Sequence, residues 1–217
     1  MLEKFNIICS SSRSMHNVII EEPRKTLMNR LPNLSPETMS AAQFEVFKSI
    51  NSGPRGRSQG PFTALLYSPE LTRQVERLGV YIRYNCRVPS RQRELAICLV
   101  GADWHADFEW HVHEPLALKA GIPAVALDQI SRGQAPVLKD PLDRVTSSFV
   151  RELLQTRRVS DATYGLAVEA FGEAGVVDLT GLVGYYTLLA MTLNTFEVPV
   201  PEGADIPWAK DTAPKPV

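Results

Sequence analysis

The residues best suited to chemistry in this chain are concentrated between positions 94 and 121. This stretch holds three of the four histidines of the protein. Its candidate proton-transfer residues are Glu94, His105, Glu109, His111 and His113. Carboxyl and imidazole groups are the side chains that most often donate and accept protons in enzymes. Because apolar residues bound the stretch, it indicates a site of proton transfer inside a folded protein.

Two helices are expected to present these side chains, joined by a turn at residues 101–103. The first helix begins at Ser90 and contains the apolar run Leu95–Val100, which leaves no polar face, so it should be buried on nearly all sides. Glu94 precedes this run, where burial disfavours a charged carboxylate unless a cation compensates. The second helix stops at Gly121, a residue type typical of helix ends.

Within the second helix, His105, Glu109 and His113 follow each other at intervals of four residues, which predicts one stripe along the helix. His111 falls on another side. A metal site on this stripe is disfavoured, because ligands on three consecutive turns span about 12 Å and do not converge on one ion. We therefore expect no metal and no other cofactor.

The remaining pattern predicts an all-α protein. Ser35 and Pro36 have the residue types of a helix start. Ser68 and Pro69 start another helix, and its predicted inward stripe is Leu71, Val75, Leu78 and Ile82. Further helices are expected at 122–133, 140–157, 161–175 and 177–196. Similar residues at 87–90 and 158–160 each precede a helix that leads to a second one, which suggests a duplicated helical unit.

Three arginines are candidate ligands for carboxylates, which guanidinium groups bind through paired hydrogen bonds. Residues 51–62 are rich in glycine and proline, which predicts a loop, and they include Arg55 and Arg57. Arg83 lies about one helical turn beyond Gly79. Two alternatives stay open: the loop is only a solvated connector, and Arg83 only forms a salt bridge at a subunit interface.

Composition excludes several classes of function. The 217 residues carry 23 basic and 24 acidic side chains without long runs of one charge, so neither nucleic acid nor a membrane surface is an expected partner. No apolar run approaches the roughly 18 residues that a membrane span requires. The three cysteines form no Cys-x-x-Cys pair, and the N-terminus makes a poor signal peptide. These features predict a cytoplasmic protein.

Three segments resemble the carboxymuconolactone decarboxylase family, whose other main branch is the AhpD-like alkylhydroperoxidases: GPRGRSQGPFTALLYSPEL, RELAICLVGADWHADFEWHVHEPLALKAGI and VPVP. The resemblance covers about residues 30–205. It implies the all-α AhpD-like fold and a homo-oligomer, a trimer or a hexamer, with active sites between helices. The domain is expected at 30–198, between an unassigned N-terminal arm at 1–29 and an extended, proline-rich tail at 199–217.

The peroxidase branch has a glutamate, a Cys-x-x-Cys pair and a histidine four residues after the second cysteine. Glu94 and His113 match the glutamate and the histidine, whereas Ala106 and Glu109 occupy the cysteine positions. Dithiol chemistry needs two thiols that can meet. The single thiol of Cys98, on the preceding apolar helix, does not replace them, and a thiol peroxidase is disfavoured.

The resemblance instead implies a cofactor-free decarboxylase of a muconolactone-type or related small unsaturated carboxylic acid. In this hypothesis Glu94 and His113 transfer the proton, and Glu109 orients His113 from one turn away. The residues expected to bind the substrate are Arg55, Arg57, Arg83, His105 and His111.

Other functions and roles remain open. A cis-trans isomerase or tautomerase of a ring-opened aromatic acid needs the same acid, base and carboxylate ligands. A non-catalytic oligomeric protein that binds a ligand needs only the cavity. Glu94 has an alternative role as the ion-pair partner of Arg91 or Arg83, and His113 as part of a helix-capping network. Structural roles are the alternative for His105 and His111.

Overall fold

The computed structural model of the chain describes residues 29–210, and every regular element in this range is helical. Eight α-helices, α1 to α8 in chain order, lie at Ala41–Ser52, Pro61–Leu65, Pro69–Tyr84, Ser90–Asp103, Asp107–Lys119, Ala124–Ser131, Pro141–Thr156 and Asp161–Phe196. A single 3₁₀ turn, Pro207–Lys210, follows them. The predicted all-α fold is confirmed. The predicted arm at 1–29 lies outside the described residues, except for Asn29.

The helix α4 forms the centre of the fold. Every residue from Glu94 to Ala102 is buried, as the apolar run predicts. The helices α5, α7 and α8 pack around α4, and α6 covers a further side. Between Glu94 and Ala102 no side of this helix faces solvent, which explains why this part of the sequence needs no polar face.

The helix α1 begins later than predicted. The Ser35-Pro36 pair forms a turn instead, and the helix starts after Ser40. The Ser40 side chain accepts a hydrogen bond from the backbone N–H of Gln43, and the Gln43 side chain accepts one from the backbone N–H of Ser40. This capping box satisfies two helix-end donors at once, which gives it an advantage over the serine-proline signal upstream.

The helix α3 has the predicted start at Pro69 but buries a different face. Val75 and Ile82 are buried as predicted, whereas Leu71 and Leu78 are 48% and 46% exposed. Small or polar residues complete the buried face: Thr72 and Gly79. The α8 helix packs against this face.

The turn between α4 and α5 lies at residues 104–106, later than predicted, because the Gly-Ala-Asp segment forms the end of α4. His105 occupies this turn with φ 46°, a left-handed backbone conformation that is uncommon for residues other than glycine. The prediction that His105 shares a helical stripe with Glu109 and His113 is therefore wrong.

The helix α8 joins two helices that the sequence predicts separately, with a kink at Gly172 where φ is 68°. It is long and apolar enough to cross a membrane, but 56% of its most apolar window is buried inside the protein. Core helices of soluble proteins have the same properties, and the fold is consistent with a soluble protein. One kinked helix follows Ser160 where a helix pair follows Ser90, and the duplicated unit stays a prediction.

Candidate active site

A cavity of about 440 Å³ lies between α3, α5, α8 and the loop before α2. Its polar and charged lining residues are Arg55, Arg57, Gln59, Arg83, Glu109, His111 and His113. Its apolar and aromatic lining residues are Pro61, Tyr84, Phe108, Val112, Leu116, Tyr186 and Leu189. The structure thus brings six of the eight predicted site residues to one cavity, and only Glu94 and His105 are not part of its wall.

His113 is the centre of the polar cluster, and its side chain is only 3% exposed. The α4 helix places Glu94 on one side of the ring, where the distance from Oε2 to His113 Nδ1 is 2.6 Å. On the other side, Glu109 Oε2 is 3.4 Å from His113 Nε2. Glu109 and His113 are neighbours because residues four apart on a helix lie on the same face. The two carboxyl groups therefore contact opposite nitrogens of one imidazole.

Arg83 determines which nitrogen of His113 carries the proton. Its Nη1 is 3.4 Å from His113 Nε2 and 3.3 Å from the hydroxyl oxygen of Tyr186. A guanidinium group has donors only, so Nε2 accepts this hydrogen bond and Nδ1 donates its proton to Glu94. In this arrangement the lone pair of Nε2 lies on the side of Arg83 and Glu109.

Arg83 also supplies positive charge to the cavity. Burial by itself lowers the pKa of Arg83, but Tyr186 and Glu94 outweigh this effect and raise the pKa above its ordinary value. Within residues 29–210, no carboxylate lies within 4.0 Å of its guanidinium. Arg83 is therefore a half-buried cation that can still receive the carboxylate of a ligand.

Glu109 is the cavity carboxyl best suited to hold a proton. It is 4% exposed, and this burial raises its pKa even though His113, Arg83 and Arg55 act in the opposite direction. A raised pKa keeps the carboxyl protonated to higher pH than an ordinary glutamate. In that form Glu109 can donate to a molecule in the cavity.

Glu94 lies behind His113 and does not line the cavity. Its hydrogen bond to His113 excludes the interpretation that it serves as the partner of Arg91, because Arg91 binds Asp143 instead. That second pair is bidentate, with Nε 3.1 Å from Oδ1 and Nη2 2.7 Å from Oδ2. The position of Glu94 suits it to orient His113, as carboxylates do for catalytic histidines.

Arg55 lines the cavity, but its charge is already compensated. Its Nε donates to Glu76 Oε2 at 2.8 Å, its Nη2 donates to the hydroxyl of Tyr185 at 3.3 Å, and its guanidinium lies 4.3 Å from the centre of the Phe62 ring. Burial raises the pKa of Tyr185 to about 12. These contacts make Arg55 a part of the wall more than a free ligand for carboxylates.

Arg57 lies at the exposed edge of the cavity, in the predicted loop. The loop is held in place at Gly60, where φ is 59° and a side chain would collide with the Phe108 ring, 2.2 Å from an ideal Cβ. Glycine is the residue type that tolerates both the left-handed backbone and this close approach. The position of Arg57 and Gln59 at the cavity mouth follows from this contact.

His105 and His111, the two histidines expected to bind the substrate, have different positions. His111 is half-buried and lines the cavity. His105 is exposed, and its ring stacks on Trp208 with centroids 5.2 Å apart. The expectation that His105 binds substrate is not supported, because the left-handed turn directs it to the C-terminal segment.

Tyr186 belongs to the site although the sequence analysis did not select it. Its ring meets His113 edge to face at 5.3 Å, and burial raises the pKa of its phenol. A hydroxyl-bearing aromatic pair, Tyr185-Tyr186, within an otherwise apolar helix is the signal that could have identified it. Buried tyrosines usually find a polar partner, and here both phenols face arginines.

The described cysteines are not part of the cavity wall. Cys98 is fully buried in α4, and burial raises the pKa of its thiol well above the ordinary value. Cys86 is half-buried with its sulfur 3.0 Å from the carbonyl oxygen of Ile82. Among residues 29–210, no group of three or more His, Cys, Asp or Glu side chains could hold a metal ion.

No protein-family model and no curated protein matches the sequence. Solved structures do match. An uncharacterized peroxidase-related protein from Ralstonia eutropha JMP134, described as an alkylhydroperoxidase AhpD core, has a TM-score of 0.65 at 14% identity, over 80% of this chain and 93% of its own. The chain therefore has an AhpD-like fold.

Two further structures share the AhpD-like fold. A peroxidase-related protein from Silicibacter sp. TM1040 has a TM-score of 0.63 at 10% identity, over 85% of this chain and 97% of its own. The debrominase Bmp8, in complex with 2,3,4-tribromopyrrole, has a TM-score of 0.61 at 12% identity, over 82% of this chain and 92% of its own. The AhpD-like part of the resemblance is confirmed, and the carboxymuconolactone decarboxylase part stays a prediction.

Proposed function

We propose that this protein is a cofactor-free acid/base enzyme that decarboxylates a small unsaturated carboxylic acid, of muconolactone type or related. One observation supports this most directly: the row formed by Glu94, His113 and Glu109 ends at a cavity that also contains the cation of Arg83. A proton donor and a cation at one cavity wall are the equipment for protonating a carbanion and stabilising the oxyanion that precedes it.

The geometry favours an exchange of roles between the two glutamates relative to the sequence hypothesis. Glu109 lines the cavity and has a raised pKa, so it is the proposed proton donor. Glu94 contacts the far nitrogen of His113, so it is the proposed positioning residue. His113 lies between them, with its Nε2 3.4 Å from Glu109 Oε2.

The proposed reaction balances without a further reactant. The bond between the substrate carboxylate and the ring carbon breaks, carbon dioxide leaves, and the electron pair moves through the conjugated system to a carbonyl oxygen. Arg83 stabilises the resulting dienolate oxygen. The carbon then takes the proton from Glu109, and a water molecule that enters the cavity restores the proton of Glu109. The net change replaces one carboxylate and one proton by carbon dioxide and a C–H bond.

The volume of the cavity, its apolar lining residues and one similar solved structure support the proposal of a small ring as the substrate. A volume of about 440 Å³ lies in the lower part of the range of small-molecule sites. Phe108, Leu116 and Leu189 provide apolar surface beside the charged groups. Bmp8, on the same fold, was solved with a small unsaturated ring, 2,3,4-tribromopyrrole. Arg83 adds the requirement that the substrate carries a carboxylate for its guanidinium to bind.

A tautomerase or isomerase of a related acid is the second candidate. It is favoured by the position of Glu109 next to His113 Nε2 at 3.4 Å, because two adjacent groups can take a proton from one carbon and return it to another. The same residues serve both reactions, and only the fate of the carboxylate differs.

The test is a panel of unsaturated lactone acids and dienoic acids, incubated with the full-length protein while ultraviolet absorbance and released carbon dioxide are recorded. Glu109→Gln should lower turnover by about 100-fold or more through loss of the positioned acid. Glu114→Gln is the matched control, because Glu114 lies on the same helix with a pKa also raised by burial but is not part of the cavity wall. His113→Gln has His105→Gln as its control, because His105 is an exposed histidine that is not part of the cavity wall.

Each outcome separates the candidates. Carbon dioxide release that depends on Glu109 and His113 supports the decarboxylase. Absorbance change with the same dependence but without carbon dioxide supports the isomerase. Turnover that survives both substitutions contradicts the assignment of these residues, and saturable binding without turnover favours the non-catalytic ligand-binding protein.

A further inference from the structure

Tyr185 and Tyr186 form a matched pair of buried phenols on α8, 3% and 2% exposed. Each phenol oxygen lies 3.3 Å from an arginine nitrogen, Tyr185 from Nη2 of Arg55 and Tyr186 from Nη1 of Arg83. Neighbouring residues on a helix point about 100° apart, so the two side chains have different surroundings. Tyr186 lines the cavity, whereas Tyr185 is not part of its wall. The pair therefore allows a phenol in the cavity wall to be compared with a phenol in the packed interior.

The hydroxyl of Tyr186 has a hydrogen that it can donate. A guanidinium group has donors only, so the Tyr186 oxygen accepts the hydrogen bond from Arg83 and its own O–H is left for another acceptor. Among residues 29–210, no group accepts a hydrogen bond from this hydroxyl. Buried donors are rarely left without an acceptor. This O–H is therefore available to a molecule in the cavity.

Burial and Arg83 together make the Tyr186 hydroxyl a neutral and strong donor. Burial raises the pKa of the phenol, and the positive charge of Arg83 opposes this effect only in part. A raised pKa keeps the proton on the oxygen, so the group acts as a donor and not as a base. The hydrogen bond from Arg83 polarises the phenol, and hydrogen bonds in such a chain strengthen one another where water is excluded.

The hydrogen atoms of Arg83 show why a second donor is needed. Its Nη1 contacts both Tyr186 and, at 3.4 Å, His113 Nε2, so the two hydrogens of this nitrogen are used. Its Nε and Nη2 remain for the carboxylate of a ligand, which guanidinium groups bind through two parallel hydrogen bonds. A carbonyl oxygen on the same ligand needs another donor. Tyr84, the other phenol of the cavity wall, already donates to the carbonyl oxygen of Pro54, whereas Tyr186 is available.

We propose that Tyr186 donates a hydrogen bond to a carbonyl oxygen of the substrate, conjugated with the carbon that loses the carboxylate, while Arg83 holds the carboxylate. This inference rests on the proposed decarboxylation and adds a requirement, because the small unsaturated acid must also carry this carbonyl. When carbon dioxide leaves, the electron pair reaches the carbonyl oxygen, and its negative charge strengthens the hydrogen bond. The proton of the phenol stays on Tyr186, and the carbon takes its proton from Glu109. Arg83 thus acts on the dienolate oxygen through Tyr186.

The first measurement is binding, and it requires no turnover. Isothermal titration calorimetry with the full-length protein compares two saturated probes, in which no dienolate can form. One is a five-membered lactone with a carboxylate on the ring carbon bonded to the ring oxygen. The other is the corresponding cyclic ether, in which a CH₂ group replaces the carbonyl. The parent should bind the lactone acid about 5-fold more tightly, as expected for one neutral hydrogen bond. Tyr186→Phe should remove this preference, and Tyr185→Phe should keep it.

The second measurement is turnover of the corresponding unsaturated lactone acid. Tyr186→Phe should lower kcat by about 100-fold with a much smaller change in KM, because a donor to a developing oxyanion acts mainly in the transition state. Tyr185→Phe should have the smaller effect on kcat, since its phenol is not part of the cavity wall. Circular dichroism establishes that both variants are folded.

The outcomes separate this inference from the proposed function. A parent that binds neither probe, or that binds both equally, overturns the role of Tyr186. An equal loss of affinity for both probes in Tyr186→Phe also overturns it, because the phenol would then only hold Arg83 in place. A preference that depends on Tyr186 supports the inference even without decarboxylation, and only the proposed reaction then fails. Turnover that depends on Glu109 but not on Tyr186 contradicts the inference and leaves the proposed function standing.

Discussion

Replacing Gly79 with alanine tests how α3, α8 and the arginine loop are held together beside the cavity. An ideal Cβ at this position would lie 2.2 Å from the hydroxyl of Tyr185 and 2.7 Å from Nη2 of Arg55. Both distances are shorter than any normal contact, so these groups must move. Tyr185 is 3% exposed and has little room, and Arg55 is held by Glu76.

The expected change in stability is a balance of two terms. Overpacking a well-packed site costs about 1–3 kcal/mol. Alanine in a helix interior is about 1 kcal/mol more favourable than glycine. Gly79→Ala should therefore lower the free energy of unfolding by about 1 kcal/mol. Gly165→Ala is the matched control, because Gly165 is also helical and its added Cβ would meet no atom within 4 Å. This control should raise stability by about 0.5–1 kcal/mol.

Urea unfolding of the parent and both variants measures these changes, with the same slope expected for all three. The two substitutions should change the free energy of unfolding in opposite directions, so the comparison does not depend on the absolute values. If Gly79→Ala stabilised the protein as much as Gly165→Ala, the packing of Tyr185 and Arg55 against α3 would be refuted. The double variant Gly79→Ala with Tyr185→Phe should recover part of the loss, because it removes the oxygen that the Cβ meets first.

Two further predictions concern buried carboxyl groups. Asp143 is fully buried and bound by Arg91, so Asp143→Ala should lower the free energy of unfolding by about 3 kcal/mol, whereas Asp128→Ala, in an exposed pair, should change it by less than about 1 kcal/mol. Equal losses in urea unfolding would contradict this. Burial raises the pKa of Glu109 above 4.5, so stability from its protonated form is fully present below about pH 4.5 and is lost as the pH rises through the folded pKa. Glu109→Gln should therefore gain stability relative to the parent as the pH rises above about 4.5, and a constant difference would argue against the shift.

Local signals predicted the helix starts with most success. Asp140 and Ser160 cap α7 and α8 through their side chains, and Pro69 begins α3. Such signals work because a cap depends on a few neighbouring residues and hydrogen-bonding groups. The failure at Ser35 has the same origin: two caps competed within six residues, and only Ser40 had a reciprocal partner in Gln43.

The face that a helix buries was harder to predict. Periodicity identifies where apolar residues lie on a helix, but the neighbouring elements decide which of them are covered. On α3, Gly79 lies against Tyr185 of α8 and Thr72 donates a hydrogen bond to the carbonyl oxygen of Leu65, whereas Leu71 and Leu78 remain exposed. The left-handed backbone conformation of His105 could not be predicted from the sequence either, because a turn between two helices depends on how those helices pack.

Glu109 shows that a residue can match a position of the family's motif and still have a different role. By the resemblance, Glu109 matches the second cysteine of the peroxidase branch, and the sequence hypothesis gave it the secondary role of orienting His113. The structure places it at the cavity wall, with a buried carboxyl whose pKa is raised. In the proposed reaction, a protonated carboxyl at this position delivers the proton. The proposed acid/base chemistry depends on this carboxyl beside His113, which Glu94 contacts at 2.6 Å.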